Sequence, residues 1–359
     1  MSRVKNFQKK MIELGADAAL ISSELNIRYL SKFNFTDGYV LVTRDNAYLF
    51  TDFRYIEAAK AEVDANDFTI VMPETTMGVA LAQTLDNVGA KVVLIEEGAL
   101  SCSDRERFAG LFAGKTLEFG ASKILSEQRI CKDEEEIECM KKAQAMTDAA
   151  FTHILSMLTP NMTELEVALE LEFFMRRMGS EGTAFETIAV SGSASSLPHG
   201  VPRNRKLESG FLTMDYGAKY NGYCSDMTRT VVIGKADEEM KKLYNTVLLA
   251  QTTALDALQE GIDCRYADKI ARDIIDVDYK GYFGHSLGHG VGLLIHETPT
   301  LSFRSPEGST LGRGHVVTVE PGIYIEGKYG CRIEDMVACM PDGSIYNFTK
   351  SKKDLIEIF

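Results

Sequence analysis

The pattern of apolar and polar residues changes character once along this chain, between residues 123 and 135. Before that point short apolar runs alternate with amphipathic stretches. Residues 2–14 carry helical spacing and 16–22 (ADAALIS) form a strand candidate. Two more strands, 39–43 (YVLVT) and 47–51 (AYLFT), flank Arg44-Asp45-Asn46 as a hairpin. Helical spacing returns at 53–63 and 76–88, and a strand at 91–97 (KVVLIEE). This alternation predicts an α/β domain over residues 1–125. It holds no histidine and no dense polar motif, which makes it scaffold or cleft wall.

From 126 to 359 the elements are longer. Residues 132–158 read as one helix, with Ile137, Met140, Phe151, Ile154, Leu155 and Leu158 on one side. Pro160 stops it, and Thr163 with Glu166 predicts a capping box for a second helix ending near Gly179. His153, inside the long helix, receives no role. A strand then leads into a small-residue loop carrying Ser195, Ser196 and His199. Residues 211–233 predict a hairpin about Asn221-Gly222, with Tyr220 opposite Tyr223 and Asp215 opposite Thr228. Helices follow at 237–260, with Gly261 as its stop, and at 264–276. Residues 315–339 predict a second hairpin centred on Gly327.

Composition narrows the function. The 359 residues are 45% hydrophobic and 25% charged, as in soluble globular proteins. A net charge of −13 argues against nucleic acid or an acidic membrane as the main partner, and is compatible with a cation-binding enzyme. No apolar run approaches 18 residues, and the first fifteen lack a signal-peptide core. Seven scattered cysteines without a CxxC pair read as reduced thiols, so the expected compartment is the cytoplasm.

The candidate chemistry converges from three segments. In the first hairpin Asp226 is the diagonal neighbour of Asp215 on one face. In the second, Glu320 and Glu334 stand opposite each other, with Arg332 on the same face. Between the hairpins, 281–297 (GYFGHSLGHGVGLLIHE) holds three of the six histidines among glycines. Its glycines disfavour a helix, and in extended backbone His285 and His289 point the same way. Carboxylates crowded on one face repel unless a cation lies between them. Asp215, Asp226, His289, Glu320 and Glu334, all expected on strands, form a hard-oxygen set that suits manganese, cobalt or iron, and four carboxylates balance two divalent ions. No GxSxG elbow occurs near Ser195, which disfavours a serine nucleophile. Cys224, two residues from Asp226, is expected on the same face, beside the metals and open to oxidants.

The ordered motifs SLPHG, MDYGAKYNGYCSDMTRT, GHSLGHGVGLLIHE, VEPGIY and CRIED resemble those of the pita-bread metallopeptidases, which include methionine aminopeptidase, aminopeptidase P, prolidase and the metal-free creatinase. The resemblance covers about 125–359. The preceding α/β domain also fits the proline-peptidase and creatinase branch, which carries such a domain. It implies an α+β catalytic domain, an antiparallel sheet flanked by helices, and a homodimer. It implies two divalent ions per chain held by the five ligands, manganese first and cobalt, iron or zinc as alternatives. It implies that His199, His285 and His296 line the substrate site, with Arg332 and Tyr324 behind the ligands. His199 then holds the substrate backbone, His285 or His296 stabilises the oxyanion, and Glu320 shuttles the proton. The absence of an evident carboxylate clamp leans towards an Xaa-Pro aminopeptidase, with an Xaa-Pro dipeptidase as the alternative. A non-catalytic binding module of the same fold is disfavoured, because such relatives lose ligands and all five are present. Arg203 and Arg205 are the residues available to receive a proline carboxylate.

Overall fold

The computed structural model describes residues 2–359, which divide into a unit ending at Arg129 and a unit Ile130–Phe359. In the first unit α1 (Arg3–Glu13), β1 (Ala18–Ile21), α2 (Glu24–Ser31), β2 (Tyr39–Thr43), β3 (Ala47–Phe50), α3 (Ile56–Glu62), β4 (Thr69–Val71), α4 (Met77–Asn87), β5 (Val92–Ile95), α5 (Cys102–Leu111) and β6 (Thr116–Phe119) follow in order, and α6 (Ala121–Ile130) runs to the boundary. The sheet order is β4-β3-β2-β1-β5-β6. It is mixed: β1, β2 and β3 are antiparallel, while β4, β5 and β6 each join in parallel. Leu20, Leu41, Phe50 and Val93 face Leu81, Leu85, Phe108 and Phe112 in one apolar cluster.

The second unit begins with a helix pair, α7 (Glu134–Met157) and α8 (Glu164–Arg177). Each starts in a capping box, Asp133 with Glu136 and Thr163 with Glu166, so side chains satisfy backbone N–H groups at both starts. Then come β7 (Ile188–Ser191), a 3₁₀ turn at Gly192–Ser196, β8 (Gly210–Tyr216), β9 (Lys219–Tyr220), β10 (Tyr223–Cys224) and β11 (Met227–Ile233). A second helix pair follows, α9 (Glu238–Ala257) and α10 (Cys264–Tyr279). The rest is β12 (Gly288–Gly290), β13 (Glu297–Leu301), β14 (Val316–Val319), β15 (Gly322–Ile325), β16 (Tyr329–Arg332), β17 (Asp335–Cys339), β18 (Ile345–Asn347) and β19 (Glu357–Ile358). Two sheets result, β19-β11-β8-β7 and β13-β12-β14-β17-β18, with β9–β10 and β15–β16 as separate ribbons. This is the expected antiparallel sheet flanked by helices, with only β19 joining in parallel.

Period two decides what the inner faces carry. Leu212, Met214 and Tyr216 of β8 and Val231 and Ile233 of β11 pack on α7 and α8. Val317, Val319, Cys331, Ile333, Val337 and Cys339 pack on α9 and α10. On their strands Asp215, Thr228, Thr318 and Arg332 fall out of phase with these sets and are directed to the opposite face. The apolar half of each strand thus fixes the direction of its polar half.

Candidate metal centre and substrate cavity

The first hairpin has the expected register, Tyr220 opposite Tyr223 and Asp215 opposite Thr228. Asn221 and Gly222 take positive φ of 48° and 83°, the conformation that a tight hairpin turn demands. The second hairpin also keeps one register about Gly327 through both its parts, Val319 opposite Asp335 and Gly322 opposite Arg332.

One expectation fails in an informative way. Only Asp215 and His289 lie on strands. Asp226, Glu320 and Glu334 fall where the ladders are interrupted, between β10 and β11, after β14, and between β16 and β17. The backbones of Glu320 and Glu334 bond across the site instead. Glu334 N–H donates to the Thr228 carbonyl (3.1 Å) and Glu320 N–H to the Leu287 carbonyl (2.7 Å). Breaking the ladder lets segments approach more closely than pleated strands do. A Cβ on Gly217 would overlap the Ser225 carbonyl oxygen, and one on Gly288 the Thr318 carbonyl oxygen.

The segments bring ligand atoms of Asp226, His289 and Glu334 within 4.8 Å of one another. His289 Nε2 stands 3.4 Å from both Asp226 Oδ2 and Glu320 Oε1. Its Nδ1 lies 3.1 Å from the Gly290 carbonyl, which can only accept, so Nδ1 carries the proton. Burial, with the charge of His296, lowers the imidazole from 6.5 to about 4, so the ring is neutral at pH 7. The Nε2 lone pair therefore faces two carboxylate oxygens. Burial and mutual repulsion raise Asp226 and Glu334 well above the carboxylate range. Glu320 is pushed up to about 8 by burial, with Arg332 opposing and Asp215 reinforcing. Buried Asp215 Oδ1 accepts no hydrogen bond. Lone pairs and carboxylates converge on one space, and this donor set fits divalent metal ions.

Among the described residues Arg332 supplies the organic cation here. Its Nη2 donates to Asp215 Oδ2 (2.5 Å), its Nη1 to the Tyr324 hydroxyl (2.7 Å), and its Nε to Thr228 Oγ1 (3.0 Å). Tyr324 lies 3.0 Å from His285 Nε2, while His285 Nδ1 lies 2.9 Å from the Ser286 carbonyl. The same tautomer argument makes His285 Nε2 an acceptor from Tyr324. Two hydroxyls that sequence reasoning missed hold the acids: Thr228 Oγ1 donates to Glu334 Oε2 (2.6 Å) and Thr318 Oγ1 to Glu320 Oε1 (3.3 Å). Thr228 was findable, since a buried threonine directly opposite Asp215 shares its face.

A cavity of about 1180 Å³ opens over these groups. Asp215, Asp226, His289, Glu320 and Glu334 line it, as do His199, His285, His296, Tyr324 and Arg332. Among the described residues lining it, Arg332 is the only arginine and there is no lysine. Arg203 does not line it and is paired with buried Glu164 (2.6 Å), while Arg205 pairs with Glu208 (3.2 Å). Cys224 also stays outside the cavity. Its Sγ lies against the Leu293 carbonyl at 3.7 Å, and burial pushes the thiol up to about 12. The strand ends at Cys224, so period two does not carry from it to Asp226.

Comparison with known proteins gives two family matches. Residues 138–341 match the model of metallopeptidase family M24, and residues 3–131 that of the creatinase/prolidase N-terminal domain. An Xaa-Pro dipeptidase of Pyrococcus furiosus is 36% identical, with 99% of each chain covered. Among solved structures, an Xaa-Pro dipeptidase from Bacillus anthracis matches with a TM-score of 0.94 and 38% identity over 99% of each chain. An X-Pro aminopeptidase from Thermotoga maritima matches with a TM-score of 0.90 and 36% identity, covering 97% of this chain and all of its own.

Proposed function

The chain belongs to metallopeptidase family M24, and from that premise we propose that it is an Xaa-Pro dipeptidase using two divalent metal ions. The carrying observation is the neutral His289 ring, whose Nε2 lone pair faces Asp226 and Glu320 at 3.4 Å amid buried acids. Asp215, Asp226, His289, Glu320 and Glu334 would hold the pair, with manganese as the first candidate and cobalt, iron or zinc as alternatives. When bound, such ions acidify water and polarise a carbonyl.

The chain's own groups do the rest. Glu320 takes the proton of the attacking water and returns it to the proline nitrogen as the C–N bond breaks. That nitrogen leaves as a secondary amine, so its protonation matters. Of the two histidines considered for the oxyanion, His296 suits the task. His285 has one N–H, which faces Ser286, and its other nitrogen accepts from Tyr324. His285 instead ends a relay through Tyr324 and Arg332 that orients Asp215. His199, exposed on the cavity wall, holds the substrate backbone.

The dipeptidase reading, rather than the aminopeptidase favoured by the sequence, draws its support from the Xaa-Pro dipeptidases of Pyrococcus furiosus and Bacillus anthracis. A second reading, Xaa-Pro aminopeptidase, has one observation in its favour: among the described residues no unengaged arginine or lysine lines the cavity to receive a free proline carboxylate. The test compares turnover of an Xaa-Pro dipeptide with that of an Xaa-Pro-Yaa tripeptide. Cleavage of the dipeptide alone is expected. Preference for the tripeptide would make the aminopeptidase reading correct. Residence in the cytoplasm and assembly as a homodimer belong to the same proposal.

A further inference from the structure

Among the buried acids of the second unit that take no part in the site described, two stand in matching places. Glu164 opens α8 and Asp268 lies in α10, and each is fully buried. α8 and α10 are each the second helix of their pair. Each acid is paired with an arginine, and each pair grips a segment that carries a cavity histidine.

Glu164 Oε1 accepts from Ser191 N–H (2.7 Å), Ser191 Oγ (2.9 Å) and Arg203 Nη2 (2.6 Å). Its Oε2 accepts from Arg203 N–H (3.1 Å) and Nε (2.7 Å). Ser191 and Arg203 are the two feet of the loop whose apex, residues 198–202, forms cavity wall and includes His199. One carboxylate therefore ties both feet. Asp268 Oδ2 accepts from Arg272 Nε (2.9 Å), and its Oδ1 accepts from Arg272 Nη2 and from Leu287 N–H (both 3.0 Å). Arg272 then donates to the carbonyls of Phe283 (2.7 Å) and His285 itself (2.8 Å). Its guanidinium lies 4.3 Å from the centre of the Phe283 ring, which meets the His285 ring edge-on at 5.0 Å.

Buried ion pairs are weak sources of stability, because desolvation offsets their attraction. What they supply here is direction: five donors and a planar fork leave each segment one arrangement. We propose that Glu164–Arg203 and Asp268–Arg272 are matched positioning clamps, the first setting His199 and the second His285 in the substrate site. The assignment rests on the reading of this cavity as the site of peptide hydrolysis.

The test uses the full chain loaded with zinc, which is diamagnetic, and carbon-13-labelled histidine. Ring signals are assigned by single His→Ala variants. Glu164→Gln should shift the His199 signal more than the His285 signal, and Arg272→Lys should do the reverse, with bound metal unchanged. Should either variant fold poorly, Arg203→Lys and Asp268→Asn test the same two clamps. Shifts spread evenly over the histidines, or none at His199 and His285, would overturn the proposal. Kinetics then separate it from the reading beneath it. Effects on kcat/KM of tenfold or more should fail to add within Glu164–His199 and Arg272–His285 and should add across them. Loss of activity that adds equally in every combination would also overturn the clamps. If the signals move as expected while His199→Ala and His285→Ala keep full activity, the clamps stand and the functional reading of the two histidines falls.

Discussion

Removing the metals should leave a protein whose stability falls as pH rises from 6.5 to 8. Glu320 carries the argument, since its carboxyl is pushed from 4.5 up to about 8, burial first, with Arg332 opposing and Asp215 adding. A carboxyl with a raised folded-state pKa favours folding fully below its unfolded value, and that contribution is lost as pH rises through the folded one. The buried histidines act in a different range. His285 and His289 are lowered from 6.5 to about 3 and about 4, chiefly by burial, so they reduce stability only as pH falls below 6.5. The interval from 6.5 to 8 therefore isolates the acids. Over about 1.5 pH units, at about 1.4 kcal/mol per unit, Glu320 alone forfeits on the order of 2 kcal/mol. Water at the exposed 16% of its side chain screens part of this. Asp226 and Glu334, raised by burial and by neighbouring acids, act in the same direction. For a unit of this size each kcal/mol moves the midpoint by roughly 2–4 °C, so a drop of roughly 4–8 °C is expected. Calorimetry of chelator-stripped and metal-loaded protein across the interval measures it. The loaded form should stay nearly level, because bound cations keep the carboxylates ionised. A stripped protein whose midpoint holds or rises from pH 6.5 to 8 would refute the reasoning.

Two further outcomes follow from the same geometry. Asp226→Asn or Glu334→Gln should lower turnover at least about a hundredfold and reduce bound metal, as read by elemental analysis. At pH 8 the stripped variants should melt above stripped wild type, since one member of a repelling cluster is gone; lower melting would count against the crowding argument. Cys224→Ser should leave sensitivity of activity to peroxide unchanged, because burial keeps this thiol protonated; protection by the substitution would show that oxidants reach the thiol.

What could be read from the sequence was local. Asn221-Gly222 and Gly327 fixed two turns, and counting outward from them placed Asp215 opposite Thr228 and centred Glu320 and Glu334 on one register. The capping box at Thr163 was legible for the same reason. What escaped was short, distant or, like the ten-residue α5 with Phe108 as its one buried residue, without a clear apolar stripe. β4 and β6, with three and four residues, are too brief for alternation to register, and α2 spans barely two turns. At the ladder breaks of Glu320 and Glu334 the backbone N–H groups bond to other segments, which no spacing reports. Cys224 was misplaced by the same blindness, since period two was carried past the end of a strand. Glu164 meets Arg203 across 39 residues, a partnership that only the packed fold reveals.

The close approach at Gly217 and Gly288 has a consequence for anyone reading this protein through its variants. In a library of random substitutions selected for activity, both positions would be as intolerant as the ligands, because even an alanine methyl would push apart the segments that carry Asp226 and His289. The two kinds of intolerance have different remedies. A lost ligand can be answered by another donor or another metal, whereas a methyl group wedged against a carbonyl can be answered only by moving backbone. Over long divergence the chemistry of such a site is therefore freer to drift than the two bare positions that let its walls meet.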